Sequence, residues 1–411
     1  MPRIDAGRFR ADFEALAAIG RTADGGVHRP TFGDAHLAAR AWFLDRAAAA
    51  GLETHVDTAG NHSAILASGS REAPRILLGS HLDSVPNGGR YDGALGVVAA
   101  LEVLRAIHDA DLNLPCTLEA IDFTDEEGTL VGLLGSRALT GALTRDTLMA
   151  PRGGRDALLA GLARVGLTET GLADARRDPG TIAGYLELHI EQGPVLERED
   201  VDIGAVSSIV GSRSLDVIFR GKAGHAGTTP MDVRRDAGFA AATFIVGVHE
   251  TVVRDFPNCV ATVGRVTLEP GAFNVIAGAA HVALEFRSAD TSELDALERA
   301  LIVRAREAET LGVAVEIDAV GRWEPAPLDI SVRTAIERVA GALGLSAIEL
   351  TSGAGHDAQA LARVAPSGMI FVPSVAGVSH QPAEFTAWDD CLNGANVLLG
   401  ATLDLAGTPA G

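Results

Sequence analysis

Short apolar runs alternate with longer amphipathic stretches along most of the chain, the element order of an α/β fold with a mainly parallel sheet. The runs at 75–79, 117–123, 184–189 and 368–373 read as strands. Apolar positions at helical spacing predict helices over 9–18, 34–50, 93–107 and 389–405. The third of these is broken only by Glu102 and Arg105, and it reads as a buried helix rather than a membrane span. The stretch 142–179 is charged and rich in Ala and Gly, which suggests helices and loops.

Between about 212 and 322 the texture changes. "SLDVIFRG", "VATVGRVTL" and "AHVALEFRSAD" alternate like half-exposed strands. Helical patterns at 231–254 and 291–311 separate them, and Thr229 and Pro230 suit the N-cap and first turn of the former. A strand–helix–strand–strand–helix–strand series makes a small α+β sandwich. The expectation is therefore a smaller domain over 212–322, inserted into a discontinuous α/β domain formed by 1–211 and 323–411.

Composition narrows the partners. The 411 residues are 47% hydrophobic and 21% charged, with a formal charge of −20. Such an acidic chain argues against nucleic acid or an anionic membrane as partner. An anionic substrate must then meet a local positive site. Three scattered cysteines make no disulfide framework, and the first twenty residues lack an apolar signal core. The expected location is a reducing cytoplasm.

Ligands of open α/β sheets bind beyond the carboxyl ends of the strands. Four expected strands run into residues of metal-ligand type there. "RILLGSHLD" delivers His81 and Asp83, and a glycine-rich loop leads on to Asp92. "TLEAIDFTDEEG" ends in Asp125, Glu126 and Glu127; "GYLELHIEQG" brings His189 and Gln192; "MIFVPSVAGVSHQPAEF" leads to His380. Any one of these is ordinary, since a histidine after a strand is commonly a loop residue and an acidic run is commonly solvated. Four at one sheet edge point to two divalent cations, with zinc favoured and manganese, cobalt or nickel also suited. Of adjacent glutamates, one can hold a metal while the other moves protons.

These motifs, with "GSRAL", "AGHAGTTPM" and "SGAGHDA" in the same order, resemble those of the binuclear metal amidohydrolases. That group comprises N-carbamoyl-L-amino-acid hydrolases, allantoate amidohydrolases and β-ureidopropionases, within the aminoacylase and zinc carboxypeptidase superfamily. The resemblance spans nearly the whole chain. It implies that Asp92 bridges two metals, that His81 and His189 complete one site, and that Glu127 and His380 complete the other. Glu126 would be the general base that takes a proton from the bridging water and passes it to the leaving nitrogen. Peptidase branches usually carry a carboxylate where His189 stands, so "LHIEQGP" points to the carbamoyl branch. Asp83 would accept the second imidazole N–H of His81 and fix its ring.

The resemblance also assigns substrate contacts. His225 would stabilise the developing oxyanion, commonly in the partner subunit of a homodimer formed through the inserted lid domain. Asn274 and Arg287 would hold the substrate carboxylate, for which a planar guanidinium is well shaped. Gln192 would contact the ureido group, and His356 would line the cleft. Two departures leave the substrate pocket less defined than the metal site. Ala277, Ala279 and Ala280 replace the usual proline and acidic residue after "NVI", and Leu130-Val131 replace Arg-Phe after "DEEG". The implied reaction is hydrolysis of an N-carbamoyl-L-amino acid to amino acid, ammonia and carbon dioxide. Allantoate or another ureido acid, an aminoacylase or peptidase activity, and a non-catalytic metal-binding scaffold are the alternatives.

Overall fold

In the computed structural model, which describes residues 2–70 and 72–407, the chain divides into Met1–Ser207 with Pro327–Gly411, and Ser208–Ala326. Strands β1 (Glu53–Val56), β2 (His62–Leu66), β3 (Arg75–His81), β4 (Thr117–Phe123), β5 (Ile182–Ile190) and β6 (Ile203–Ile209) come first. They are followed by β7 (Gly211–Arg220), β8 (Gly224–His225), β9 (Val260–Glu269), β10 (Val275–Ile276), β11 (Ala279–Ser288) and β12 (Ala314–Trp323). The chain then adds β13 (Ala326–Pro327), β14 (Ala347–Ser352) and β15 (Ser367–Val372).

The first unit is built on a nine-stranded sheet of order β1-β2-β4-β3-β5-β15-β6-β13, with β14 on β6. Its centre, β4-β3-β5-β15, is parallel. These are the four runs expected as strands, so their carboxyl ends lie side by side. The flanks are antiparallel, at β1–β2, β2–β4 and β15–β6, and the sheet is mixed. Every residue of β1 is exposed, which is why no apolar pattern announced it.

The helix Ala94–Asp109 is buried from Ala94 to Ile107. The two charges that interrupt it are both paired: Glu102 takes Arg8 at 2.8 Å and Arg105 takes Asp12 at 2.6 Å. The stretch after Ala142 forms short helices, Arg145–Met149 and Arg155–Arg164, and a 3-10 turn at Gly171–Ala175. Leu158, Leu162 and Leu172 pack there with Phe32 and Leu134. No helix among the described residues is long and apolar enough to cross a membrane.

The second unit is a four-stranded antiparallel sheet, β12-β7-β11-β9, with helices Ala237–Asp255 and Thr291–Arg306. Alternate residues of β7 and β11 (Leu215, Val217, Phe219; Val282, Leu284, Phe286) meet Phe244, Leu297 and Leu301 of the helices. One expectation is corrected here. Thr229 and Pro230 do not open the long helix; Met231–Val233 is a 3-10 turn, and the helix starts at Ala237. Lys222 N–H donates to the Arg235 carbonyl and keeps that segment extended. The Asp236 carboxylate then caps the helix by accepting from Gly238 and Phe239 N–H.

Candidate metal centre

Parallel pairing sets the geometry. His81 is the last residue of β3 and lies in register with Phe123, the last of β4, while His189 on β5 lies opposite Phe371 of β15. Beyond these ends the backbone turns sharply, with positive φ at Asp125, Gln192 and His380. Gly93 opens the helix behind the loop at φ +63°, and a Cβ there would lie 2.5 Å from the His81 ring. Only glycine lets the imidazole rest on that backbone.

The side chains converge on Asp92. Its Oδ1 is 3.5 Å from His81 Nε2 and 3.1 Å from His189 Nε2, and its Oδ2 is 3.2 Å from His380 Nε2. Glu127 Oε2 stands 3.8 Å from the same His380 nitrogen. Two groups suited to a cation result, His81–Asp92–His189 and Asp92–Glu127–His380, sharing Asp92. The first is buried, whereas the His380 side chain is 52% exposed.

The imidazole tautomers test whether a cation fits. His81 Nδ1 lies 3.0 Å from the Asp83 carbonyl and His189 Nδ1 lies 2.9 Å from the Ile190 carbonyl. A carbonyl only accepts, so both Nδ1 atoms carry a proton and both Nε2 atoms are the ones turned to Asp92. Facing a carboxylate oxygen, each Nε2 holds either a second proton or, with a cation between, a lone pair that would ligate it. The donor set of imidazole nitrogen and carboxylate oxygen suits a divalent transition ion.

Electrostatics agree with this fit. The ion pairs that Asp83, Asp92, Glu126 and Glu127 make among the described residues are all with histidines. Burial opposes the charge on Asp92, yet the facing imidazoles of His189, His380 and His81 hold its carboxyl well below the usual range. Burial pushes Glu126 well above its ordinary value, although the His81 charge opposes it. Burial and the Asp92 charge push Glu127 to about 7. Glu126 Oε2 is 3.6 Å from His81 Nε2, beside the cluster.

Asp83 acts differently from expectation. Its backbone carbonyl meets His81 Nδ1, while its carboxylate lies 3.7 Å away. That carboxylate instead accepts the amides of Glu126 and Glu127, at 3.3 and 3.2 Å, and so aims both glutamates. Asp125 likewise accepts Leu130, Val131 and Gly132 N–H, which closes the following loop. The Thr31 hydroxyl lies 2.8 Å from Asp125 and 3.1 Å from Asp83. Sequence reasoning assigned no role to Thr31, and no periodic signal marks such a contact.

His356, expected to line the cleft, is buried beneath His189 with ring centroids 4.5 Å apart. Its Nε2 is taken by Ser352 Oγ at 2.9 Å. Nearby Glu187 completes a third group of ligand type with His189 and His356. Its oxygens are already satisfied by Ser80 and Tyr185 hydroxyls and Ala358 N–H, so it forms a hydrogen-bonded floor. Gln192 Nε2 donates to Asp92 Oδ2 at 2.9 Å, and its buried Oε1 has no partner among the described residues.

The remaining expected residues belong to the second unit. Exposed His225 accepts Gly227 N–H at Nδ1, 3.1 Å, which puts its proton on Nε2 as an outward donor. Exposed Asn274 is its neighbour, since its carbonyl accepts Ala226 N–H beside the β8–β10 ladder. Arg287 lies at the far end of β11 and pairs with Glu285 at 2.7 Å. Arg287 and the His225–Asn274 pair thus lie off opposite ends of β11, whose run from Ala279 to Arg287 spans roughly 26 Å.

A model of peptidase family M20/M25/M40 matches residues 77–404. Over 405 residues the chain is 38% identical to the N-carbamoyl-L-amino-acid amidohydrolase of Paenarthrobacter aurescens, covering 97% of this chain and 98% of that one. It is 35% identical over 381 residues to the allantoate amidohydrolase of Bacillus subtilis, covering 91% of each. The crystal structure of a hydantoinase/carbamoylase family amidase from Burkholderia ambifaria matches with a TM-score of 0.88, at 38% identity and 99% coverage of both chains.

Proposed function

The chain belongs to peptidase family M20/M25/M40 and is a hydrolase acting on C–N bonds; from that premise we propose that it hydrolyses the ureido C–N bond of N-carbamoyl-L-amino acids. The products are the amino acid, ammonia and carbon dioxide. The observation that carries this reading is the two-sided presentation of Asp92, with histidines His81 and His189 on one oxygen and His380 on the other. A second divalent ion has a ready place at Asp92, Glu127 and His380. Zinc suits both places best, and manganese, cobalt or nickel fit the same donors. When bound, such ions polarise a carbonyl oxygen and make water a better acid.

The chain's own residues supply the rest. Glu126, kept protonatable by burial, takes a proton from the attacking water and delivers it to the leaving nitrogen. His225 donates its Nε2 proton to the oxyanion as the carbonyl becomes tetrahedral. Arg287 binds the α-carboxylate with its planar fork, Asn274 adds an amide, and Gln192 offers its free Oε1 to the ureido N–H groups.

The separation along β11 supports a shared site, with Arg287 from one subunit and His225 and Asn274 from its partner. The second unit has a surface suited to a second copy. β9 is an edge strand with Val260, Val266 and Leu268 exposed, and the helix Ala237–Asp255 exposes Phe239, Val246 and Val253 at seven-residue spacing. An unpaired edge can add to its own copy in an isologous, closed dimer. Mixed His225→Ala and Glu126→Gln subunits should therefore regain activity, because one site of each heterodimer is intact. Verified heterodimers that stay inactive would place His225 in its own subunit's site.

Ammonia release from N-carbamoyl-L-amino acids and allantoate, set beside amino-acid release from N-acetyl amino acids, tests the substrate class. The N-carbamoyl compounds should be turned over fastest. Turnover of the N-acetyl compounds alone would sink the reading, and preference for allantoate would move it to the ureido-acid branch that the Bacillus subtilis relative represents.

A further inference from the structure

Glu384 lies four residues beyond His380 and is 3% exposed. Its Oε1 accepts two backbone amides, Tyr91 N–H at 2.8 Å and Asp92 N–H at 3.1 Å. Its Oε2 accepts the Ser379 hydroxyl at 2.8 Å. One buried carboxylate therefore ties the loop that presents Asp92 to the loop that presents His380, across 293 residues of sequence for the Tyr91 contact. The backbone makes room for it: a Cβ on Gly89 would lie 1.9 Å from the Glu384 carboxyl carbon.

We propose that Glu384 is a positioning residue that sets Asp92 Oδ2 against His380 and so creates the outer cation site, Asp92–Glu127–His380. The proposal rests on the two-ion reading above. The inner set does not need this clamp, because His81 and His189 sit on neighbouring strands and are held by the carbonyls of Asp83 and Ile190. His380 sits on a loop at φ +58°, beyond β15, with a half-exposed side chain. Without Glu384, two buried N–H groups lose their acceptor. The Ser379 hydroxyl, already 3.4 Å from Asp92 Oδ2, then turns fully onto the oxygen that faces His380. The second effect falls on the outer oxygen; the first reaches both sets through Asp92, but the inner set keeps two strand-borne imidazoles where the outer keeps one imidazole on a loop.

Competition of the metal-free protein against a chromophoric chelator, with Zn(II) or Mn(II), reads the two binding steps without any turnover. Wild type should take up two equivalents. Glu384→Ala should leave the first step within about threefold and weaken the second by about 10–100-fold, the usual cost of losing an outer partner of a ligand. Glu384→Gln keeps the Oε1 acceptor and should restore the second step. Gly89→Ala deletes no polar group but pushes the carboxylate away, so it should reproduce the loss even if Glu384→Ala folds poorly. Unchanged second-step affinity in Glu384→Ala or Gly89→Ala overturns the assignment, as does equal weakening of both steps or no rescue by Gln. A wild-type protein that binds one equivalent overturns both the assignment and the two-ion reading, which separates the two failures.

Discussion

Strand β4 and the loop after it carry two groups of buried carboxylates in opposite settings. Glu119, within the strand, has Arg177 at 2.7 Å, Arg75 at 2.9 Å and the Ser63 hydroxyl at 2.6 Å. Burial opposes its charge, but the Arg177 and Ser63 hydrogen bonds and both arginine charges bring it down to about 2. Glu126 and Glu127, just past the strand end, are nearly as buried and pair only with histidines among the described residues; burial pushes both up. Glu119, with two arginines and a hydroxyl, is satisfied within the fold. A carboxylate left to imidazoles and other carboxylates has capacity for a proton or a metal ion. Burial alone does not distinguish them; the number and kind of partners do, since Asp122 on the same strand, with the single arginine Arg40 at 2.8 Å, is still pushed up to about 6 by its burial.

The strongest way to break this contrast is Glu126→Gln. It should lower turnover by about 10²–10⁴-fold, the usual contribution of a positioned proton carrier, while metal content by elemental analysis stays at the wild-type value. Unchanged turnover would remove Glu126 from the reaction and leave it a mere neighbour of the ions.

The converse variant is Arg177→Ala, which should leave metal content alone and cost about 3 kcal/mol of stability in urea denaturation, because a buried charge loses its main partner. A pH effect accompanies it. The folded carboxyl of Glu119 sits near 2, below its ordinary 4.5. Its contribution to stability is thus complete above about pH 4.5 and is lost as pH falls toward 2. Urea midpoints of wild type and Glu119→Gln should therefore diverge above that window and converge below it. The smallest effect belongs to Arg75→Ala, at about 0.5–1 kcal/mol, since this guanidinium is 38% exposed and screened by water.

Much of the candidate centre was legible because its residues of ligand type follow strands with clear apolar patterns. His81 and His189 sit on such strands, and Glu127 and His380 lie in the loops beyond two others. What stayed hidden has no period. Asp83 accepts two amides from a distant loop, and Glu384 fits where Gly89 has no side chain, so each is visible only as a pair in space. The start of the helix at Ala237 was missed for a different reason. Thr229–Pro230 has the right residue types, but the Lys222–Arg235 bridge keeps the chain extended until Asp236 can cap. Likewise Asn274 and Arg287 lie close in sequence, and only the strand between them shows that they face different ends.

The length of β11 bears on when the enzyme exists as an enzyme. On the proposed sharing, a lone folded chain owns parts of two pockets and the whole of none. Its competence is then a property of concentration: newly made or highly diluted chains are inert toward ureido compounds, and each pairing event switches on two pockets together.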